Sequence, residues 1–172
     1  NIDFKSINAD INENKYSYIN NPSQHCMKLA KLKASKIFSK NLNSIIIGAD
    51  TIVYINHQIL GKPKNKKNAF NILKELSDKT HYVYTGVAIK CKNYNLNFYD
   101  KTSVTFYPLT DEIINYYINN FNPLDKAGAY GIQDWSKIFI KKINGCYYNV
   151  AGFPIAKFYQ HLNDSKILKK YL

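Results

Sequence analysis

The chain of 172 residues is long enough for a domain with a substantial core, since 45% of it is hydrophobic and 21% is charged. This composition excludes a wholly disordered chain and a fibrous repeat. The longest apolar runs, such as Ile45–Ile47, are too short to span a bilayer, so we expect no membrane association. The three cysteines are scattered without a CxxC pair, which argues against a disulfide scaffold or zinc site and favours a reducing, cytoplasmic environment.

The net charge of +12 is typical of proteins that bind nucleic acids, because clustered cations bind phosphate backbones. All 24 basic residues are lysines, however, whereas proteins that read nucleic acids usually use the planar fork of arginine. The lysines are interspersed with Asn, Ile and Tyr, whose codons are rich in A and T. We therefore attribute the charge to an AT-rich genome and predict no nucleic-acid partner, although the charge would help to attract an anionic small substrate.

The first predicted elements are a short strand at Asp3–Ile7 and a helix that begins in the segment 20–24 and ends near Lys40. An Asn cap, Pro at the first helical position and Gln in the capping-box position mark the helix start. Lys33 shares the apolar stripe of this helix, which is an unusual position for a solvated lysine. Either its stem reaches solvent or its ammonium has a function. The stripe is formed by Cys26, Leu29, Ala30, Ala34 and Ile37.

A second strand, Ser44–Ala49, is predicted to be buried on both faces because it is short, apolar and β-branched. Asp50 and Thr51 follow it, just past the carboxyl end of the strand, where open α/β sheets bind ligands. Asp50 is either an Asx-turn residue or a base or metal ligand that activates water. Glu13, in an acidic turn, is either solvated or a second carboxylate that completes an oxygen-ligand set for Mg²⁺.

The rest of the chain alternates between strands and helices, which predicts an α/β fold, a mixed sheet with helices on its faces and no clear domain boundary. The predicted elements are a hairpin of Thr51–Ile55 and Gln58–Leu60, a helix capped by Asn65, an antiparallel pair of His81–Lys92 and Asn95–Tyr107, a helix capped by Thr110, a strand at Lys137–Ile143, and a helix opened by Pro154 whose Ile155, Phe158, Tyr159 and Leu162 face inward.

Two further residues are candidates for binding a ligand. Lys62 lies between Gly61 and Pro63, in a short rigid segment that could present its ammonium to a phosphate. In a chain this rich in lysine, an ordinary surface position is the alternative. Gln133 follows a glycine-bearing loop and is either an ordinary loop residue or an amide that reads a base edge by donating and accepting.

Several short blocks occur in a specific order along nearly the whole chain, and together they resemble the Maf family of nucleotide pyrophosphatases, which are also described as septum-formation inhibitors. The blocks are Asp10–Glu13, Leu29–Ala34, Gly48–Thr51, Ile59–Pro63, Thr85–Val87, Asp125–Gln133 and Asn149–Pro154.

The resemblance implies an elongated mixed sheet with a cleft between two lobes, and hydrolysis of a nucleoside triphosphate between its α and β phosphates with Mg²⁺ or Mn²⁺. It implies that Asp50 is the general base and Glu13 its partner carboxylate at the metal. Lys33 and Lys62 match the phosphate-binding lysines. Thr51 and Gln133 match positions that distinguish substrates, and the form of the loop resembles the branch that acts on dTTP, UTP and modified pyrimidine nucleotides. A homodimer is also compatible with the family.

The chain departs from the family pattern in two ways. Members of the family carry a strand and an SxSPRR-like phosphate loop about twenty residues before the acidic block, whereas here nine residues precede Asp10 and no arginine occurs. We therefore expect a single Maf-like domain over residues 1–172 without that strand and loop. Asp134-Trp135 also replaces the small residues expected after Gln133. These departures leave open an alternative function as a catalytically weak nucleotide-binding regulator of cell division.

Overall fold

The structure, a computed structural model, describes residues 3–16, 18 and 21–165, which contain a five-stranded sheet with helices packed on it. The strand order is β2-β1-β3-β4-β5, and every pairing is antiparallel. The predicted α/β class, with a sheet flanked by helices, is confirmed. The strands are β1 Ile46–Ile55, β2 Gln58–Leu60, β3 Thr80–Cys91, β4 Tyr94–Phe106 and β5 Ile140–Asn144; the helices are α1 Pro22–Phe38, α2 Lys66–Leu76, α3 Asp111–Asn120, α4 Tyr147–Val150 and α5 Ile155–Asp164.

The predicted helix starts are confirmed by their caps. The side chain of Asn21 accepts hydrogen bonds from the backbone amides of the first turn of α1, while Asn20 lies outside the described residues. Asn65 caps α2 and Thr110 caps α3 in the same way. The predicted hairpin turn also forms, because Asn56 and His57 both adopt positive φ angles of 49° and 62°, the backbone that a tight two-residue hairpin requires.

Helix α1 lies unusually close to strands β1 and β3, because glycines face it from both strands. A Cβ atom on Gly48 would lie 2.5 Å from the carbonyl oxygen of Ala30, and one on Gly86 would lie 2.5 Å from the carbonyl carbon of Cys26. Any side chain at these two positions would push the helix away from the sheet. The close approach places the inward stripe of α1, including Lys33, directly on β1.

The main core lies on the opposite face of the sheet, where α2, α3 and the end of the 3-10 turn Trp135–Phe139 pack. Its residues share an apolar face of the sheet and the inward stripes of the two helices. They include Val53, Val83, Val104, Phe106, Leu73, Leu76, Ile114, Tyr117 and Phe139. Cys26, Cys91 and Cys146 are all free thiols. Within the described ranges, no helix combines the length and apolar character needed to cross a bilayer.

Several local predictions are wrong. Asp3–Ile7 is not a strand, because it joins no hydrogen-bonded ladder in the described part of the chain. The predicted strands on either side of Asp50 form one continuous strand, β1, since β3 pairs with it without interruption from Ile46 to Tyr54. This strand is not buried on both faces at its start, because 46% of Ile47 is exposed.

The last strand and the last helix also differ from the sequence prediction. Strand β5 begins at Ile140 rather than Lys137, because the 3-10 turn Trp135–Phe139 occupies the preceding residues. In α5, Leu162 is buried, but Ile155 and Tyr159 are about half exposed, at 49% and 56%. The helix therefore packs through a narrower stripe than its amphipathic pattern indicates.

Candidate active site

Asp50 lies in the middle of β1, on the face covered by α1, and not past the end of a strand as predicted. Only 6% of it is exposed. Its Oδ1 accepts a hydrogen bond of 2.6 Å from the Nζ of Lys33, whereas its Oδ2 is buried with no partner among the described residues. The residue opposite on β3 is Gly86, so no side chain competes for this space. A buried carboxylate oxygen without a hydrogen-bond partner lowers the stability of the fold. Such an arrangement is typical of a group that is retained for function.

Lys33 joins two carboxylates. Its Nζ lies 2.6 Å from Asp50 Oδ1 and 2.8 Å from Glu13 Oε1. Glu13 lies in a 3-10 turn before α1. The ammonium of Lys36 donates to the backbone carbonyl of Asp10 and so ties the segment carrying Glu13 to the same helix. Lys33 is 23% exposed and Glu13 is 44% exposed, so the bridge lies at the border between the sheet and solvent. The lysine on the apolar stripe is thus an ion-pair centre.

Burial raises the pKa of the Asp50 carboxyl to about 6, even though the ammonium of Lys33 acts in the opposite direction. Burial would lower the pKa of Lys33, but the charges and hydrogen bonds of Asp50 and Glu13 outweigh it, and the net effect raises that pKa. At neutral pH the lysine is therefore charged and the aspartate is mostly ionised. A carboxylate with a pKa just below neutrality is suited to accept a proton from water.

A cavity of about 660 Å³ opens beside this ion-pair centre, a size that is typical of small-molecule sites. All six residues that the sequence nominated border it: Glu13, Lys33, Asp50, Thr51, Lys62 and Gln133. A second cavity of about 1160 Å³ adjoins it and shares Glu13, Lys33 and Lys62. The tertiary structure thus brings the predicted residues together, while their individual roles stay predictions.

Lys62 is exposed and follows β2 in a segment held against the glycine-bearing loop 125–133. The amide of Gly128 donates to the carbonyl of Gly61 at 3.1 Å. Gly128 has a φ of 70°, and a Cβ there would lie 2.7 Å from a methyl of Val53, so only glycine lets the loop sit this close to β1. The contact places the lysine and the loop at the same cavity.

Gln133 is exposed to the cavity, and the residues after it stabilise its loop. Asp134 accepts hydrogen bonds from the amide and hydroxyl of Ser136, whose hydroxyl also bonds to the backbone of Gly131. Trp135 stacks on the ring of Phe121, with centroids 5.5 Å apart. The Asp-Trp pair that departs from the family pattern therefore forms part of the loop's support.

Asp50 and Glu13 are the two carboxylates that border the cavity beside Lys33 and could hold a divalent cation, whereas the carboxylate of Asp125, which also borders it, is paired with Lys126 at 2.8 Å. No group of three or more His, Cys, Asp or Glu side chains gathers within residues 3–16, 18 and 21–165 in a way that would hold a metal by protein ligands alone. Two carboxylates, one with a free buried oxygen, nevertheless fit Mg²⁺, which is usually held by one or two carboxylates together with substrate phosphates.

Comparison with known proteins identifies the family of this chain. The family model described as Maf-like protein matches residues 1–165. The chain belongs to the Maf-like family. A relative from Thermosipho melanesiensis, named dTTP/UTP pyrophosphatase, is 52% identical over 170 residues, covering 98% of this chain and 90% of the relative. One from Bacillus anthracis with the same name is 45% identical over 166 residues, covering 96% and 86%. One from Bacillus mycoides, also so named, is 44% identical over 163 residues, covering 95% and 85%.

Two polar residues of this Maf-like chain received no role from the sequence, although both lie in blocks that resemble the family. Thr85 and Asn149 are fully buried beneath the cavity, next to Thr51. The signal for Thr85 is a hydroxyl within a strand that alternates apolar and aromatic residues, and that for Asn149 is an amide at the start of the block Asn149–Pro154. Neither signal indicates a partner, because the partners lie far away in the chain.

Proposed function

We propose that this chain is a nucleoside triphosphate pyrophosphatase that hydrolyses dTTP, UTP and modified pyrimidine nucleotides to the monophosphate and pyrophosphate. The observation that carries the proposal is the buried Asp50 carboxylate, held by Lys33 at a cavity bordered by a second lysine and a second carboxylate. The relatives named dTTP/UTP pyrophosphatase support the reaction and the choice of base.

Binding of the polyphosphate is assigned to Lys33 and Lys62. Hydrolysis of a phosphoanhydride requires cations around the phosphates and a positioned water, with little covalent work by the protein. Lys33 is partly exposed and bonded to two carboxylates, so an incoming phosphate can share its ammonium. Lys62 is exposed, and within residues 3–16, 18 and 21–165 its side chain makes no hydrogen bond or ion pair, so it can reach the phosphates without breaking one.

Asp50 is assigned the role of general base. Its carboxylate accepts a proton from the attacking water as the water oxygen bonds to phosphorus. The anhydride bond between the α and β phosphates breaks, and pyrophosphate leaves with the bond electrons. The pKa of about 6 keeps the carboxylate ionised at neutral pH yet basic enough to hold the proton.

Mg²⁺, or Mn²⁺ in its place, is the proposed cofactor, with Asp50 and Glu13 as the residues that would hold it. When bound, the cation would neutralise charge on the phosphates. Thr51 and Gln133 are assigned to the base, since a hydroxyl and an amide offer hydrogen bonds without adding charge.

The test measures pyrophosphate release from dTTP, UTP, CTP and GTP with Mg²⁺. We expect release from dTTP and UTP, and a loss of about 10² to 10⁴-fold in Asp50→Asn, because the general base is removed. Asp111→Asn is the matched control, since Asp111 is also paired with a lysine, at 2.8 Å, but on the exposed surface. Nucleotide binding without turnover of any nucleotide would contradict the proposal and favour the regulatory alternative.

A further inference from the structure

Thr51 faces the side of the sheet opposite to Asp50, where it borders the cavity and contacts the next strand. It pairs with Thr85 of β3, and the two hydroxyl oxygens lie 2.9 Å apart. A contact this short between two hydroxyls has a proton between them. The chemistry that Thr51 offers to a ligand depends on which of the two supplies that proton.

The partner of Thr85 decides the direction of this hydrogen bond. The Oγ1 of Thr85 also lies 2.9 Å from the backbone carbonyl oxygen of Asn149, which can only accept. A threonine hydroxyl has a single proton, and Thr85 donates it to this carbonyl. Its oxygen must therefore accept from Thr51. The proton of Thr51 is consumed by this bond, and only the lone pairs of its oxygen remain for the cavity.

The carbonyl that sets this direction is itself held in place. The side-chain amide of Asn149 donates to the carbonyl of Val83 at 3.1 Å and to the hydroxyl of Thr102 at 3.0 Å. Thr102 in turn exchanges hydrogen bonds with the backbone of Cys146. Thr85, Thr102 and Asn149 are each 0% exposed, so water does not compete for these bonds. The network leaves no second orientation for the hydroxyl of Thr85.

We propose that Thr85 is a positioning residue that makes Thr51 purely a hydrogen-bond acceptor, so that the cavity selects a base carrying an N–H at ring position 3. Uracil and thymine carry this N3–H, whereas the N3 of cytosine carries a lone pair that would face the lone pairs of Thr51. The inference rests on the proposed function and assigns the discrimination between uracil and cytosine to a buried residue that does not border the cavity.

The test compares kcat/KM for UTP and CTP in the wild type, Thr85→Val and Thr85→Ser. Valine keeps the shape of threonine but cannot accept a hydrogen bond, so the hydroxyl of Thr51 becomes free to donate to cytosine. We expect the ratio of UTP to CTP to fall at least about tenfold in Thr85→Val, since one hydrogen bond changes its polarity. Thr85→Ser retains the hydroxyl and is expected to keep the ratio.

Two further measurements separate this role from a structural one. If Thr85 acts through Thr51, the ratio in the double variant with Thr51→Val equals that in Thr51→Val alone. In the wild type, kcat/KM is expected to be much lower for N3-methyl-UTP than for UTP, and in Thr51→Val this difference is expected to be far smaller. That result would show that the N3–H of the base, and not a ribose hydroxyl, donates to Thr51. Thr51→Val carries the test if Thr85→Val does not fold.

Equal losses for UTP and CTP in Thr85→Val, or an unchanged ratio in Thr51→Val, would overturn the inference while leaving the pyrophosphatase activity in place. A wild-type chain that hydrolyses neither nucleotide would instead contradict the proposed function, and the assignment of a base with it.

Discussion

Asp50 and Thr51 are neighbours in β1, but they face opposite sides of the sheet and lie in different surroundings. Asp50 belongs to a charged group with Lys33 and Glu13, in which one carboxylate is 44% exposed and one carboxylate oxygen is unsatisfied. Thr51 belongs to a neutral network that continues through Thr85 to Asn149. The side chains of Thr85 and Asn149 are fully buried. The two sides meet at one cavity.

The difference indicates a division of labour within the site. Charged groups with partly exposed partners can exchange those partners for phosphates, because water and counter-charges are close. Neutral buried groups whose hydroxyl protons are fixed by hydrogen bonds keep one orientation and can distinguish a donor from an acceptor. Changes on the charged side should therefore reduce hydrolysis of every nucleotide, whereas changes on the neutral side should alter the preference among bases.

After Asp50→Asn, the largest effect in this comparison is expected for Lys33→Met, also on the charged side. Loss of the ammonium removes a phosphate ligand and the group that lowers the pKa of Asp50. We expect kcat/KM to fall about 10² to 10³-fold for all nucleotides, and the acid limb of the pH profile to move to higher pH.

Lys31→Met is the matched control, because Lys31 lies on the exposed face of the same helix. An acid limb that stays in place, or moves to lower pH, would contradict the assigned coupling between Lys33 and Asp50.

A smaller effect is expected for Lys62→Met. This exposed lysine supplies charge to the phosphates but makes no ion pair within the described residues, so its removal should raise KM about 10 to 100-fold with less change in kcat. The effect should weaken as salt is added, because the ammonium is exposed. Lys92→Met, in the exposed turn between β3 and β4, is the control. A change in base preference in Lys62→Met would contradict the assignment of Lys62 to the phosphates.

The smallest change is expected from pH alone. Since the pKa of Asp50 is about 6, kcat/KM should rise about tenfold between pH 5 and pH 7, as the base loses its proton. The contribution of Asp50 to the stability of the fold changes with pH in the opposite direction. A carboxyl with a raised folded-state pKa stabilises the fold at low pH, and this contribution is lost as pH rises through about 6. Thermal unfolding across the same range separates the two effects, and a flat activity profile would argue against Asp50 as the base.

Local patterns predicted much of the secondary structure. The caps of α1, α2 and α3, the hairpin turn at Asn56 and His57, and the long antiparallel pair of β3 and β4 all form as expected. These features depend on neighbouring residues, because a cap or a tight turn is made by groups a few positions apart. Strand ends were less predictable, as at Asp50, because a partner strand determines where pairing stops.

The sequence by itself determined the family, the class of fold and six residues that border the cavity. Only the tertiary structure decided how they act together. Lys33 reaches Asp50 across 17 positions because glycines in two strands admit α1, and Thr85 reaches Asn149 across 64. Burial sets the pKa of Asp50, and a distant carbonyl sets the direction of a hydroxyl proton. Both effects arise from packing between segments far apart in the chain, which local residue patterns do not encode.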